Sequence, residues 1–185
     1  MEELHSFEGH PFKVERNQEL FELRCSIEKE GVLVPLLVRK NPHGDGYEII
    51  AGHRRKEAAL WAGLTEVPVI IRELDDDQSV IAMVDSNLQR EKILPSEKAY
   101  AYKMRLEAMN RQGQRTDLTS TPLVSKSRTN EELGNQVGES REQIRRYVRL
   151  TNLVPELLEF VDEGRIKMRP AVELSYLDED SQRDV

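Results

Sequence analysis

Three groups of residues in this 185-residue chain have the types and spacing to do chemistry. The first is Gly52-His53-Arg54-Arg55, which follows the apolar run Tyr47-Glu48-Ile49-Ile50-Ala51. A strand that passes through glycine into a helix lets an anion come close to the backbone. The first helical N–H groups lack intrahelical acceptors, and guanidinium forks add charge and donors. This is a phosphate-binding arrangement. Its plain alternative is a glycine turn before a solvated helix start. No Gly-x-x-x-x-Gly-Lys-Ser/Thr run is present, so a nucleotide would be held otherwise than in a P-loop. The second group is Asp85-Ser86-Asn87-Leu88-Gln89-Arg90. Asn87 offers a carbonyl for a hard cation such as Mg²⁺, and Arg90 a guanidinium for phosphate. Taken alone, Asn87 reads more simply as a helix C-cap and Arg90 as a surface arginine.

The third group lies between Thr129 and Leu150. Thr129-Asn130-Glu131-Glu132 and Ser140-Arg141-Glu142-Gln143 both have the capping-box form, with Gly138 between them. The spacing predicts a short helix over Asn130 to Val137, a tight turn, and a second helix from Arg141. Leu133 and Val137 are one turn apart on the first helix, as are Ile144 and Val148 on the second, so both pairs can face one core. That is the spacing of a helix-turn-helix over 129–150. The other face of the second helix carries Arg141, Arg145 and Arg149, with Arg146 beside them. In a recognition helix the N-terminal residues, here Ser140, Arg141 and Gln143, reach base edges, and arginines grip guanine or phosphate. Lys126 and Arg128 precede the unit and could clasp backbone phosphates. The bland alternative is a helical hairpin with solvated arginines.

The elements that must position these residues divide the chain in two. To about Leu94, helical and strand patterns alternate. A helix is expected over Glu19 to Lys29, ended by Gly31, and a strand over Pro35 to Arg39. A turn-rich stretch, Pro42 to Gly46, leads to a strand at Tyr47 to Ala51 that pairs with the first. A helix over Arg54 to Ala62, a strand over Val67 to Ile71, and a helix from Gln78 to Asn87 capped by Asp75-Asp76-Asp77 complete this part. From Pro95 the chain reads as wholly helical. A long helix runs through Met109, Gly113 to Ser127 reads as a mobile loop, and the stripe Leu153, Leu157, Phe160 and Val161 reads as core. The expectation is an α+β chain, with a small mixed α/β domain over 1–94 and an all-α DNA-binding domain over 95–185.

Composition narrows the function. Lys and Arg number 27 against 34 Asp and Glu, for a net charge of −7, which excludes a bulk-basic nucleic-acid binder. A localised basic face survives: six basic residues stand against four acidic ones between 126 and 149. Aromatics at 5% do not furnish a base-stacking platform for single strands. The lone Cys25 forms no internal disulfide, and His5, His10, His43 and His53 lack metal-ligand spacing. Trp61 reads as core. No apolar run reaches the roughly 20 residues of a membrane span, and the N-terminus lacks signal-peptide order. The expectation is a soluble, cytoplasmic chain with no membrane partner.

Together the segments resemble the ParB family of chromosome and plasmid partition proteins. The resemblance is carried by Gly31-Val32-Leu33-Val34-Pro35-Leu36-Leu37-Val38-Arg39, by Gly52-His53-Arg54-Arg55-Lys56-Glu57-Ala58, and by Asn87-Leu88-Gln89-Arg90-Glu91 with Leu94-Pro95-Ser96-Glu97-Lys98-Ala99. The helix-turn-helix and the segments Val154 to Leu158 and Glu163 to Ile166 follow in order, so that roughly residues 8 to 177 are covered. It implies a ParB-like (sulfiredoxin-like) N-terminal domain followed by an all-helical DNA-binding domain. It implies cytidine triphosphate (CTP) and Mg²⁺, with Pro35 and its strand near the base. Gly52, His53, Arg54 and Arg55 would lie about the phosphates, and Asn87 and Arg90 would supply metal and phosphate contacts. It implies a homodimer that recognises an inverted-repeat site on double-stranded DNA and closes into a sliding clamp in the nucleoid or on a plasmid. A ParA-type ATPase would be its partner. Three positions depart from the family's habit: Val34 stands for Gln, His53 for Glu and Ser86 for Glu. The last removes a carboxylate expected near the metal, which leaves at most a weak CTPase. Two other readings stay open: a transcriptional regulator of the same fold without nucleotide, and a metal-dependent nuclease or phosphotransferase on the N-terminal domain.

Overall fold

A computed structural model describes residues 1–90, 92–116 and 122–184, with the side chains of 113–129 outside the described set. The chain divides into two compact units, Met1–Asn87 and Leu88–Val185. The division falls before the boundary at Leu94 expected from the sequence.

The first unit is built on a four-stranded sheet. Strands β1 (Leu4–Ser6), β2 (Leu36–Lys40), β3 (Tyr47–Ala51) and β4 (Val69–Ile71) lie in the order β1-β3-β2-β4. β2 and β3 pair antiparallel as expected, with Arg39 opposite Glu48 and Lys40 opposite Tyr47. β4 runs parallel to β2, and β1 parallel to β3. Period-2 alternation sends Leu36 and Val38 of β2 and Ile49 of β3 to one face, where they form a buried cluster with Leu4. A second cluster, Leu20, Ile27, Ala58 and Ala59, joins helix α1 (Gln18–Glu30) to helix α2 (His53–Trp61). Asn17 caps α1 by accepting from the Leu20 amide at 3.0 Å, and Gly31 ends it at φ 74°. Trp61 packs half-buried against this cluster, with Arg16 and Arg24 each 5.4 Å from its ring.

The opposite face of β2 and β3 holds a buried ion pair. Arg39 Nε donates to Glu48 Oε2 at 2.6 Å, and Arg39 Nη1 donates to Asp76 Oδ1 at 2.8 Å. That second bond ties the sheet to helix α3 (Asp76–Leu88). The expected cap of α3 is present, with the Gln78 amide donating to Asp75 Oδ1 at 2.8 Å and the Asp75 amide to Gln78 Oε1 at 3.1 Å.

In the second unit every described element is helical: α4 (Pro95–Thr116), α5 (Pro122–Val137), α6 (Arg141–Leu150), α7 (Pro155–Asp162), α8 (Met168–Leu174) and α9 (Glu179–Arg183). Two expectations are corrected here. Helix α4 continues past Met109, and α5 begins at Pro122 rather than Asn130, so helix occupies much of the stretch read as a loop. Proline suits a first helical turn, because its missing N–H has no acceptor there anyway. The capping-box pattern at Thr129 therefore falls inside a helix. Leu150, Leu153, Leu157, Leu158 and Val161 form a buried core with Ala171, and Phe160 packs on its margin. Among the described residues no helix is long and apolar enough to cross a membrane.

Candidate functional site

The helix-turn-helix is assembled by α5 and α6 on α4. Leu133 of α5 and Ile144 of α6 are fully buried with Tyr102 of α4, and Val137 and Val148 pack beside them. The two apolar pairs thus share a core, as their spacing requires. The turn between the helices is fixed at several points. Gly138 turns the chain at φ 71°, and the Glu139 amide donates to the Gly134 carbonyl at 3.0 Å. The Glu139 carboxylate accepts from Lys98 Nζ at 2.8 Å. Burial first, then the charge of the neighbouring Glu139 carboxylate, push the pKa of the Tyr102 phenol up. Ser140 caps α6, its hydroxyl accepting from the Gln143 amide at 3.1 Å.

From this mounting, Ile144 and Leu150 face inward while Arg141 and Arg145 stand exposed. Gln143 and Arg146 are half-buried. Arg149 departs from the expected stripe. Eight residues at about 100° each carry it roughly 80° around the helix from Arg141. There its Nε donates to Ser175 Oγ at 3.1 Å and its Nη2 to the Ser175 carbonyl at 2.8 Å, and the guanidinium lies 4.0 Å over the Tyr176 ring. Arg149 fastens α6 to the end of α8. The side chains of Lys126 and Arg128 lie outside the described residues.

The second cluster lies within the first unit, at the junction of β3 and α2. Gly52 is the N-cap of α2 at φ 113°, a conformation that L side chains rarely adopt. A Cβ there would stand 2.8 Å from Leu36 Cγ and 3.4 Å from Arg55 Cζ, so glycine also makes room for the guanidinium that crosses it. No side chain caps α2, which leaves its first amides to an outside acceptor. Arg54 Nη2 donates to Glu19 Oε2 at 3.0 Å in a partly exposed pair. Arg55 Nη1 turns the other way and donates to the carbonyls of Val34 and Pro35, both at 2.6 Å. Pro35 thus belongs to the same cluster. Burial lowers the pKa of Arg55, though a guanidinium stays charged.

His53 occupies an unexpected setting, against His10 with ring centroids 3.9 Å apart and the ring planes tilted by 48°. Its Nε2 is buried without a hydrogen-bond partner among the described residues. Burial first, then the neighbouring His10 and Lys56, push its pKa down to about 3. The unfolded chain therefore takes up a proton below about pH 6.5 that the folded chain refuses down to about pH 3. Above that window His53 adds no pH dependence; within it, stability falls as pH falls. Between pH 7.5 and pH 5 the loss expected from His53 is about 2 kcal/mol. Urea titrations at the two pH values check this, and His53→Gln should remove most of the pH dependence. An unchanged slope in that variant would discard the assignment.

Asn87 sits in the last turn of α3, its Nδ2 donating to the Met83 carbonyl at 2.9 Å, while the Ser86 hydroxyl donates to that same carbonyl at 2.8 Å. Asn87 is thus a helix-interior residue rather than a C-cap, and its amide oxygen is the end a cation would use. Among the described residues no three His, Cys, Asp or Glu side chains group as a metal site. The junction suits a phosphate; the residues about Asn87 do not by themselves complete a metal shell. Arg90 falls in the second unit, half-buried.

Sequence reasoning missed the tether of Arg149, the bond of Arg55 to the Val34–Pro35 segment, and the His10–His53 contact. Each joins residues distant in sequence, and local patterning carries no signal for such contacts.

Comparison with known proteins places the two units in a family. The family model described as the ParB N-terminal domain matches residues 1–88, and that of the ParB HTH domain matches residues 121–185. The chromosome-partitioning protein Spo0J of Thermus thermophilus is 39% identical over 156 residues, covering 84% of this chain and 51% of that protein. The chain spans about half the length of the curated relatives it matches. The C-terminally truncated chromosome-partitioning protein ParB from Caulobacter crescentus, in crystals complexed to the centromeric parS site, is 29% identical with a TM-score of 0.58. That match covers 94% of this chain and 81% of the other. Crystals of that protein complexed with CTP-gamma-S match at 30% identity and a TM-score of 0.45, covering 95% of this chain and 89% of the other. With two domain models in the same order over most of its length, a mixed α/β unit and a helix-turn-helix unit, the chain belongs to the ParB family.

Proposed function

We propose that this chain acts in chromosome partitioning, binding an inverted-repeat, centromere-like site on double-stranded DNA, with CTP bound by the first unit as a switch. The observation that carries the reading is helix α6. It is capped by Ser140, buried through Ile144 and Leu150, and presents Arg141 and Arg145 outward. These two arginines, with Lys126, Arg128 and Arg146, would supply the phosphate and base contacts, and Ser140 and Gln143 lie at the same end of the helix. Arg149 holds the helix in place. At the β3–α2 junction the first amides of α2 and the guanidinium of Arg54 would receive the triphosphate, and Asn87 of the same unit would add a metal contact. Bound Mg²⁺ would neutralise phosphate charge. A homodimer on the two half-sites, a ParA-type ATPase as partner and a place in the nucleoid complete the reading.

The test is fluorescence anisotropy of a short inverted-repeat duplex against a scrambled one across a salt series. Affinity should fall steeply with salt, because released counterions drive phosphate contacts. Arg145→Ala should weaken binding by about 1–3 kcal/mol and narrow the gap between the two duplexes. Equal isotherms for the variant and the unsubstituted chain would overturn the assignment of α6.

A further inference from the structure

Strand β4 lies at one end of the sheet, paired with β2 on one side and open on the other among the described residues. The ladder with β2 fixes which backbone groups line the open side. The Leu36 amide donates to the Pro68 carbonyl at 3.0 Å, and the Arg72 amide to the Val38 carbonyl at 2.9 Å. Pro68, Ile70 and Arg72 therefore turn their backbone groups toward β2, and Val69 and Ile71 turn theirs outward. Sheet edges are ordinarily guarded by polar side chains, charges or proline. At the other end of the sheet, β1 exposes His5 and Ser6. β4 instead leaves Ile70 51% and Ile71 53% exposed. Its proline is no guard, because an N–H at position 68 would have faced β2 rather than the open side.

We propose that β4 is a docking edge for a second copy of this chain, the two β4 strands pairing antiparallel about a two-fold axis at Val69. The charges that flank the strand select this register. Outward residues must pair with outward residues, so the symmetric choices set Val69 against Val69, Val69 against Ile71, or Ile71 against Ile71. The first places Glu66 of each copy opposite Arg72 of the other. The second sets Arg72 opposite Pro68, and the third sets it opposite Ile70, so both leave the charges unmatched. Glu66 and Arg72 are exposed and, among the described residues, have no ion pair within their own chain. In the chosen register Ile70 lies opposite Pro68 of the other copy, and Ile71 opposite Val67, so the apolar side chains left open by one sheet cover those of the next. The two four-stranded sheets then run on as one. This contact needs neither nucleotide nor DNA, and it stands apart from the function proposed above.

The experiment is sedimentation velocity of the full 185-residue chain over a concentration series reaching about 1 mM, where even a contact this small should be populated. The unsubstituted chain should show a concentration-dependent association step that weakens as salt rises. Glu66→Arg and Arg72→Glu should each weaken that step by about tenfold or more, since each sets like charges opposite one another at both ends of the paired strands. An equimolar mixture of these two variants should restore it, because every facing pair is then opposite in sign. The double variant Glu66→Arg with Arg72→Glu should restore it too. Ile71→Pro removes an outward N–H while leaving the donors of the β2 ladder in place, so it should abolish the step. Thermal melts identify any variant that fails to fold, and the charge variants, which alter only exposed side chains, then carry the comparison. A chain that stays monomeric across the series overturns the proposal. So does association that survives both single charge variants, and so does a mixture that associates no better than either variant alone.

Discussion

Arg39→Leu should destabilise the first unit by about 3–5 kcal/mol, the range for breaking one side of a buried ion pair. Arg39 and Glu48 face each other across β2 and β3, with side chains only 6% and 8% exposed. Removing the guanidinium leaves a carboxylate in the sheet's covered face without its main partner. The loss spreads further, because Arg39 also bonds Asp76 and lies 5.6 Å from the Phe7 ring, tying the sheet to the start of α3 and to the N-terminal segment. Asp76 is 71% exposed and returns to water at little cost. The double variant Arg39→Leu with Glu48→Leu should therefore regain most of the loss, since two apolar groups of similar volume replace the pair without a stranded charge. Urea denaturation of the three chains measures this. A single variant within 1 kcal/mol of the parent, or a double variant no better than the single, would show that the pair is not the brace its burial implies.

The second large effect is expected in the helix-turn-helix. Gly134 lies inside α5, where alanine ordinarily stabilises a helix by about 1 kcal/mol. Here the sign reverses. A Cβ at this position would meet the Glu139 carbonyl oxygen at 2.6 Å, and backbone cannot swing aside as a flexible side chain does. Gly134→Ala should cost about 1–3 kcal/mol and should spread the turn that seats α6. Because Glu139 also pairs with Lys98 of α4, moving it disturbs the seat on α4 as well. Gly138→Ala makes a useful contrast. It meets nothing within 4 Å and carries only its left-handed φ of 71°, worth about 1–2 kcal/mol. Melting temperature and duplex affinity measured on both variants separate the causes. Gly134→Ala should lose affinity well beyond its loss of stability, and Gly138→Ala should not. A more stable Gly134→Ala chain with full affinity would rule out the clash.

Where a local pattern and its packing agree, the sequence is readable. Asn17 and Gly31 bound α1 as their types suggest, Ser140 starts α6, and the Leu133, Val137, Ile144 and Val148 spacing produces the shared core. Strand β3 matches its apolar run. Elements that depend on distant partners are not readable. Strand β1 has three residues, too few to alternate visibly, and exists because β3 offers it an edge, with the Tyr47 amide donating to the Glu3 carbonyl at 2.7 Å. The start of α5 was misplaced because Thr129-Asn130-Glu131-Glu132 satisfies a capping rule that the longer helix does not use. At the candidate site, glycine and arginine types were visible at Gly52, Arg54 and Arg55, but the direction each guanidinium takes was not. Arg55 follows from the carbonyls of Val34 and Pro35, and Arg149 from Ser175 and Tyr176, contacts that no window of neighbouring residues contains.

The fastening of Arg149 at the far end of α6 separates two jobs within ten residues. Arg149 holds the C-terminal end of the helix against Ser175 and Tyr176. The outward positions Arg141 and Arg145 are thereby released from any duty in folding. On the proposed DNA-binding reading, a change of target sequence would be drafted at that exposed end without renegotiating how the helix is mounted.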